Sequence, residues 1–270
     1  MLNRILGNFL NATRKVACKD DVKAMIQHLA DYADDRRLDD ESRYRLAERF
    51  SNAVYPKFLF SEYGRIHLDD EAFIDYYRRF MDPGNWHSLD RKYFLNQTLR
   101  LLPGVAGDLV ECGVYNAASA YLMCQFARLQ DRHVYLFDSC QGLSEPTTAD
   151  GSYWVKGALS MAENVIHHNL EEFRCYTLLK GWIPERFPEV GDRRFCFVHI
   201  DVDLYQPTLD SLEFFYGRLN TRGVMLFDDY GFCTCPGARR AIDEFFEDKP
   251  ENVVLVPTGQ AFLIRQPEFK

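Results

Sequence analysis

The sequence predicts an α/β fold: a doubly wound, mostly parallel sheet of seven strands, closed by a C-terminal antiparallel hairpin and preceded by a helical N-terminal extension. Three observations point there. From Gly107 onward, short apolar runs without polar alternation are separated by helix-period segments, the pattern of strands covered on both faces. The last two runs are joined by only a few residues, which makes them antiparallel neighbours. The 270 residues are 47% hydrophobic and 14% aromatic, enough for one large core.

The elements follow in order. "MLNRILGNFLNATRK" places Leu2, Ile5, Leu6, Phe9 and Leu10 on one helical face, interrupted by Gly7, Asn8 and Asn11. That predicts a packing helix on the body or on another subunit rather than a signal peptide. "DDVKAMIQHLADYADDRRL" and "DDEAFIDYYRRFM" read as helices, the second ended by "DPGNW". "SLDRKYFLNQTLRLL" is a helix that Ser88 can cap, closed by Pro103 and Gly104. Residues 1–103 therefore read as a helical extension, a lid and oligomer contact, and 104–270 as the sheet domain. In that domain "DLVECG", "HVYLFDS", "CYTLLKG", "FCFVHID", "GVMLFDDY", "NVVLVP" and "AFLIRQ" read as strands. "AASAYLMCQFARL", "PTLDSLEFFYGRL" and "GARRAIDEFFED" read as helices.

Composition excludes several classes. A net charge of −8 without a dense Lys/Arg run argues against nucleic acid as a partner. No apolar stretch approaches the ~20 residues that span a bilayer, so a cytoplasmic enzyme is expected. The eight cysteines are dispersed, which suits reduced structural thiols. The close pair Cys233 and Cys235 lacks a second pair at zinc spacing.

In open α/β sheets, ligands bind beyond the carboxyl ends of the strands. The first end, "ECGVYNAAS", puts Gly113 at a strand-to-helix turn, where it serves either close backbone approach to a ligand or helix packing. The second strand ends in Asp138, an acid at the spacing that binds ribose hydroxyls, or else a turn or cap residue. Together they favour a nucleoside-containing cofactor. The phosphate-cradling glycines of a dinucleotide site are missing, which favours S-adenosylmethionine over NAD. Glu111 could then pair with its ammonium group, and Ser119 with the helix N-terminus could take its carboxylate. The fourth strand ends in Asp201 and Asp203, the fifth in Asp228 and Asp229. Carboxylates at adjacent strand ends repel one another unless a cation or protons intervene. They are either solvated helix caps or, as the favoured reading, oxygen ligands for Mg²⁺ or another hard divalent ion. Such an ion would acidify a hydroxyl, with one aspartate taking the proton.

On "SLDRKYFLNQTLRLL", "GDLVECGVY", "FDSCQGL", "GWIPERFPE", "IDVDLYQPTLDSLEFFY", "GVMLFDDYG" and "PGARRAIDEFF", the chain resembles the macrocin/novobiocin-pathway group of metal-dependent O-methyltransferases over roughly residues 85–265. The resemblance implies a class I methyltransferase fold and methyl transfer to a hydroxyl of a sugar or glycosylated natural product. It implies that Glu111, Gly113, Tyr115 and Ser119 contact the methionine end of the cofactor and Asp138 the ribose, with Gly181 and Trp182 near the adenine. Asp201, Asp228 and Asp229 would hold the metal, and Asp201 would also be the base. Asp203 would be a fourth acid or would stabilise the next helix. Trp182 has a second reading as a core aromatic.

The chain departs from the family pattern at Asn116, Ala117 and Ala118, where paired glycines are usual, and this could alter cofactor affinity. It departs from the more distant catechol-type enzymes at Leu204, where those carry a lysine base. His167 and His168 read as surface helix residues. Tyr55, Phe58, Phe60, Trp86 and His87 are candidates for substrate packing or for core. A homo-oligomer is expected. "DVD" also resembles the metal-binding motif of nucleotide-sugar glycosyltransferases, and a non-catalytic binding protein of the same fold is a further alternative.

Overall fold

In the computed structural model, residues 39–54, 64, 66–80 and 88–267 are described. The chain divides into two compact units, Met1–Ile66 and His67–Lys270. Of the first, the described part is helix α1 (Asp40–Val54), capped by Asp39, whose Oδ1 accepts the Ser42 N–H at 2.7 Å. The two N-terminal helical stretches before Asp39, and Tyr55, Phe58, Phe60, Trp86 and His87, lie outside the described residues.

The second unit begins with α2 (Glu71–Phe80) and α3 (Leu89–Leu99). Ser88 caps α3 as its sequence predicts, accepting the Arg91 N–H at 3.2 Å. Both helices, assigned by sequence to the extension, contribute Phe73, Tyr76, Phe80, Leu95 and Leu99 to the core under the sheet. The two compact units meet in sequence between Ile66 and His67.

The sheet is built from β1 (Asp108–Cys112), β2 (Val134–Asp138), β3 (Tyr176–Lys180), β4 (Phe195–Ile200), β5 (Leu219–Phe227), β6 (Val254–Leu255) and β7 (Ala261–Ile264). Their order is β3-β2-β1-β4-β5-β7-β6, all parallel except β7, which runs antiparallel to β5 and β6. Helices α4 (Ala118–Leu129), α5 (Glu163–Asn169), α6 (Tyr205–Phe215) and α7 (Pro236–Phe246) complete the unit. His167 and His168 lie on α5 and are exposed, as expected.

Alternate strand residues serve opposite cores, as a pleated strand requires. Leu109, Leu136, Phe197, Val224 and Leu226 pack with α2, α3 and α4 on one face. Val110, Phe137, Val198, Ile200 and Phe227 pack with Leu212, Phe215, Ile242 and Phe246 of α6 and α7 on the other. With both faces covered, β4 is buried at every position, which is why its sequence shows no alternation. The strand order reverses between β1 and β4, and there the βα turns diverge to leave a crevice. No described helix is long and apolar enough to cross a membrane. The described cysteines are all free thiols.

Candidate active site

The crevice is a cleft of about 260 Å³ at the carboxyl ends of the parallel strands. Gly113, Val114 and Tyr115 follow β1, Asp138 and Ser139 close β2, and Gly181 and Trp182 follow β3. Asp201 and Asp203 follow β4, and Asp228 and Asp229 follow β5. Tyr153 and Trp154 from the β2–α5 loop, Phe232 and Cys235 before α7, and Arg91 of α3 complete the lining. Of the residues singled out by sequence, Glu111 and Ser119 are not part of it: both are buried behind the β1 turn.

Gly113 makes the first turn possible. It sits at φ +83, and a Cβ there would lie 1.8 Å from the backbone oxygen of Asp201. Tyr115 and Ala117 also take left-handed backbone, at φ 49 and 69. An L-residue pays roughly 1–2 kcal/mol for that conformation. Ala117, one of the positions where glycine was expected from the family resemblance, therefore holds left-handed backbone at a conformational cost. Asp138 offsets part of it. Its Oδ2 accepts the Val114 and Tyr115 N–H groups at 2.8 and 3.1 Å, and its Oδ1 accepts that of Cys140 at 2.7 Å. Asp138 is thus a turn-organising acid that also borders the cleft, and its Oδ1 retains one lone pair for a further hydrogen bond. Gly181 allows another close approach, because a Cβ there would meet the Arg186 side chain at 2.7 Å.

The acids of β4 and β5 converge because those strands are parallel neighbours in register, Ile200 opposite Phe227. They form two groups rather than one. Asp201 and Asp228 lie with His199, ligand atoms within 4.8 Å of one another, and Asp229 lies with Asp203 and Cys235 at the same range. The available donors therefore include an imidazole and a thiol beside the carboxylates, where sequence reading expected oxygen alone. Asp228 is the most heavily tied: Arg91 pairs with Oδ2, and Gln260 Nε2 donates to Oδ1 at 2.6 Å. Asp229 Oδ2 accepts the Asp203 N–H at 2.9 Å, while Asp203 Oδ1 accepts the Cys235 thiol at 3.4 Å. Trp154 Nε1 donates to the same thiol at 3.3 Å.

Asp203 does not cap α6. That role falls to Asp150, buried in the β2–α5 loop, whose Oδ1 accepts the Tyr205 N–H at 2.6 Å. The contact fixes the loop carrying Tyr153 and Trp154 to the end of the sheet.

Beneath the cleft, His199 and Glu111 are direct cross-strand partners on β4 and β1. His199 Nδ1 and Glu111 Oε1 are 3.0 Å apart. His199 Nε2, 3.5 Å from Asp228 Oδ1, and Glu111 Oε2 have no hydrogen-bond partner.

Burial and mutual repulsion shape the charges. Burial, then the charge of Asp201, raises Asp203 to about 7. Asp229 is pushed well above the usual carboxylate range by burial and by Asp203 and Asp201, and Asp201 is raised by burial and Asp228. At Asp228 burial acts upward, but Arg91, Lys92 and His199 outweigh it and hold the carboxyl well below its ordinary value. For His199 burial acts downward, yet Asp228 and Glu111 raise it to about 9.

A histidine raised in the folded state contributes stability that is fully present below its unfolded value, near 6.5, and lost as pH rises through about 9. Ion-depleted protein should lose on the order of 3 kcal/mol between those limits. Thermal melts across that range should show a clearly steeper fall in wild type than in His199→Asn, in which only the raised carboxyls of Asp203 and Asp229 still contribute. An equal fall in both would remove His199 as its source.

Sequence reading missed Arg91, Lys92, His199, Gln260 and Asp150, and set Cys235 aside as a structural thiol. Some signal existed. Lys92 occupies the stripe with Leu95 and Leu99, so a lysine stood where the helix period calls for an apolar residue. His199 and Glu111 are polar residues inside otherwise apolar strands. Nothing in the sequence around Gln260 marks it.

The donor chemistry fits a divalent cation. Asp201, Asp228 and Asp229 each face the cleft, and carboxylate oxygens that already accept one hydrogen bond keep a second lone pair. Five acids, Asp201, Asp203, Asp228, Asp229 and Glu111, stand against three bases, Arg91, Lys92 and His199, and burial with repulsion among the acids is what raises Asp203 and Asp229.

Residues 96–254 match the macrocin O-methyltransferase (TylF) family. Over 157 residues the chain is 32% identical to demethyldecarbamoylnovobiocin O-methyltransferase of Streptomyces niveus, covering 52% of this chain and 58% of that protein. Over 166 residues it is 30% identical to 8-demethyl-8-(2,3-dimethoxy-alpha-L-rhamnosyl)-tetracenomycin-C 4'-O-methyltransferase of Streptomyces olivaceus, covering 56% of this chain and 62% of that protein. The matches thus span about three fifths of the length of these relatives. The solved structure of the O-methyltransferase NovP shares the fold with a TM-score of 0.58 at 24% identity, over 68% of this chain and 84% of that one. Strands β1 to β5, the turn at Gly113 and the paired acids after β4 and β5 all lie within residues 96–254, the stretch that matches the family: this chain is a member of the macrocin O-methyltransferase family.

Proposed function

We propose that this protein is an S-adenosylmethionine-dependent, divalent-metal-dependent O-methyltransferase acting on a hydroxyl of a sugar or glycosylated natural product. The observation that carries the reading is one cleft that joins the Gly113–Asp138 turn to Asp201, Asp228 and Asp229. The names of the two Streptomyces relatives support a glycosylated small-molecule acceptor.

In this reading Asp138 accepts a ribose hydrogen bond at the remaining lone pair of Oδ1, and Gly181 with Trp182 borders the adenine. Gly113 and Tyr115 border the methionine end, with Glu111 and Ser119 behind them. The cofactor supplies a methyl group on a sulfonium. Asp201, Asp228 and Asp229 would hold the divalent ion, which supplies positive charge that makes a neighbouring hydroxyl more acidic. Asp201 takes the acceptor's proton: its side chain is 27% exposed, more open than Asp228, and burial and Asp228 make it a stronger base than a solvated carboxylate. Tyr153, Trp154 and Phe232 exclude water and present flat apolar faces on which a sugar ring can stack. The transfer then depends mainly on alignment.

The test is calorimetry with S-adenosylmethionine and separately with UDP-sugars, each with Mg²⁺ and with EDTA. Binding of S-adenosylmethionine that survives EDTA is expected. Asp138→Ala should weaken it by about tenfold to a hundredfold, through lost ribose contacts and a loosened turn. Silence toward S-adenosylmethionine with metal-dependent binding of a UDP-sugar would replace this reading with a glycosyltransferase.

A further inference from the structure

Arg91 and Lys92 are consecutive residues of α3, and each reaches a different carboxylate of the acid cluster. Arg91 pairs with Asp228, and Lys92 Nζ lies 4.0 Å from Asp201 Oδ2. Lys92 is 1% exposed and donates one hydrogen bond, 2.6 Å to Ser119 Oγ in the first turn of α4. An ammonium so buried is costly unless a counter-charge compensates, and Asp201 is the acid it faces. One turn of α3 therefore delivers to the cluster the same total charge as a divalent ion, aimed at two of the acids proposed to bind one.

We infer that Arg91 and Lys92 are built-in counter-cations of this cluster, holding Asp228 and Asp201 in place while weakening divalent-ion binding by like-charge repulsion. The inference rests on the proposed metal-binding role of these acids. Ser119 fixes the Lys92 ammonium, so the charge cannot swing into solvent when an ion arrives. Inside the protein such a charge acts at high strength and is little screened by salt. Metal affinity in this chain is thus set partly by α3, an element that supplies no ligand of its own.

The experiment titrates Mn²⁺ into EDTA-stripped, full-length protein by calorimetry. Lys92→Met removes the charge at similar length. Lys92→Gln removes it but keeps a donor for Ser119, which guards against a folding defect in either variant alone. Lys92→Arg keeps the charge. Both neutral variants should bind Mn²⁺ about tenfold or more tightly than wild type, and Lys92→Arg should stay within about threefold. The gain should persist in high salt. Neutral variants that bind at wild-type affinity or more weakly would overturn the inference and leave the metal-dependent reading standing. A gain in Lys92→Met alone would also overturn it, by tracing the effect to the lost Ser119 contact. If neither wild type nor any variant bound Mn²⁺ at millimolar concentration, the metal-dependent reading would fall together with the inference.

Discussion

Asp228→Asn should abolish metal-dependent methyl transfer, by about a thousandfold or more, equivalent to ~4 kcal/mol of transition-state stabilisation. Affinity for S-adenosylmethionine should stay within about threefold, because Asp228 lies at the β5 end of the cleft and Asp138 at the β2 end. The fold should also suffer. Asp228 is the counter-charge of Arg91 and lies beside His199, and it accepts a hydrogen bond from Gln260. Removing one charge from such a buried arrangement costs about 3–5 kcal/mol. Activity is therefore compared below the variant's melting temperature, with calorimetric cofactor binding as the control for folding. Normal turnover by Asp228→Asn in the presence of a chelator would eliminate the metal mechanism.

Gly113→Ala should be the most damaging glycine-to-alanine change among the described residues. The added Cβ meets the Asp201 backbone oxygen at 1.8 Å, and the residue's φ of +83 is already unfavourable for alanine. Neither can be relieved locally, because the Asp201 N–H is held by the Cys112 carbonyl at 2.9 Å. The turn and the end of β4 must separate, carrying Asp201 with them. A loss of more than about 4 kcal/mol in denaturant unfolding is expected, combining backbone strain with overpacking. A loss below about 1 kcal/mol would mean that the turn and the β4 end do not pack as described. By contrast, alanine at position 117 already occupies left-handed backbone without a comparable clash, which shows how differently two neighbouring small residues are constrained.

Much of this architecture was legible in the residues. Uninterrupted apolar runs between helix-period segments defined the strands, because a sheet covered on both faces has no polar side to alternate with. "DLVECG" and "FCFVHID" led to β1 and β4, and Ser88 to the start of α3. The acids at the ends of β4 and β5 were visible because parallel neighbours bring equivalent ends together. Their division into two groups was not, since it depends on the directions taken by side chains after the strands end. Nor was the role of Asp150 at the start of α6, which is set by a loop contact 55 residues away in sequence.

The sequence by itself determined the doubly wound order of elements, the Gly113 turn, the family motifs and the carboxylates that gather at one end of the sheet. These are local or periodic properties, carried by residue type and spacing. Only the tertiary structure decided how those carboxylates are charged. Arg91 and Lys92 come from a helix that precedes the sheet, and His199 faces Glu111 across two strands separated by 88 residues. Charge compensation in a buried site depends on distance in space and on desolvation, and neither is written in the spacing of the chain.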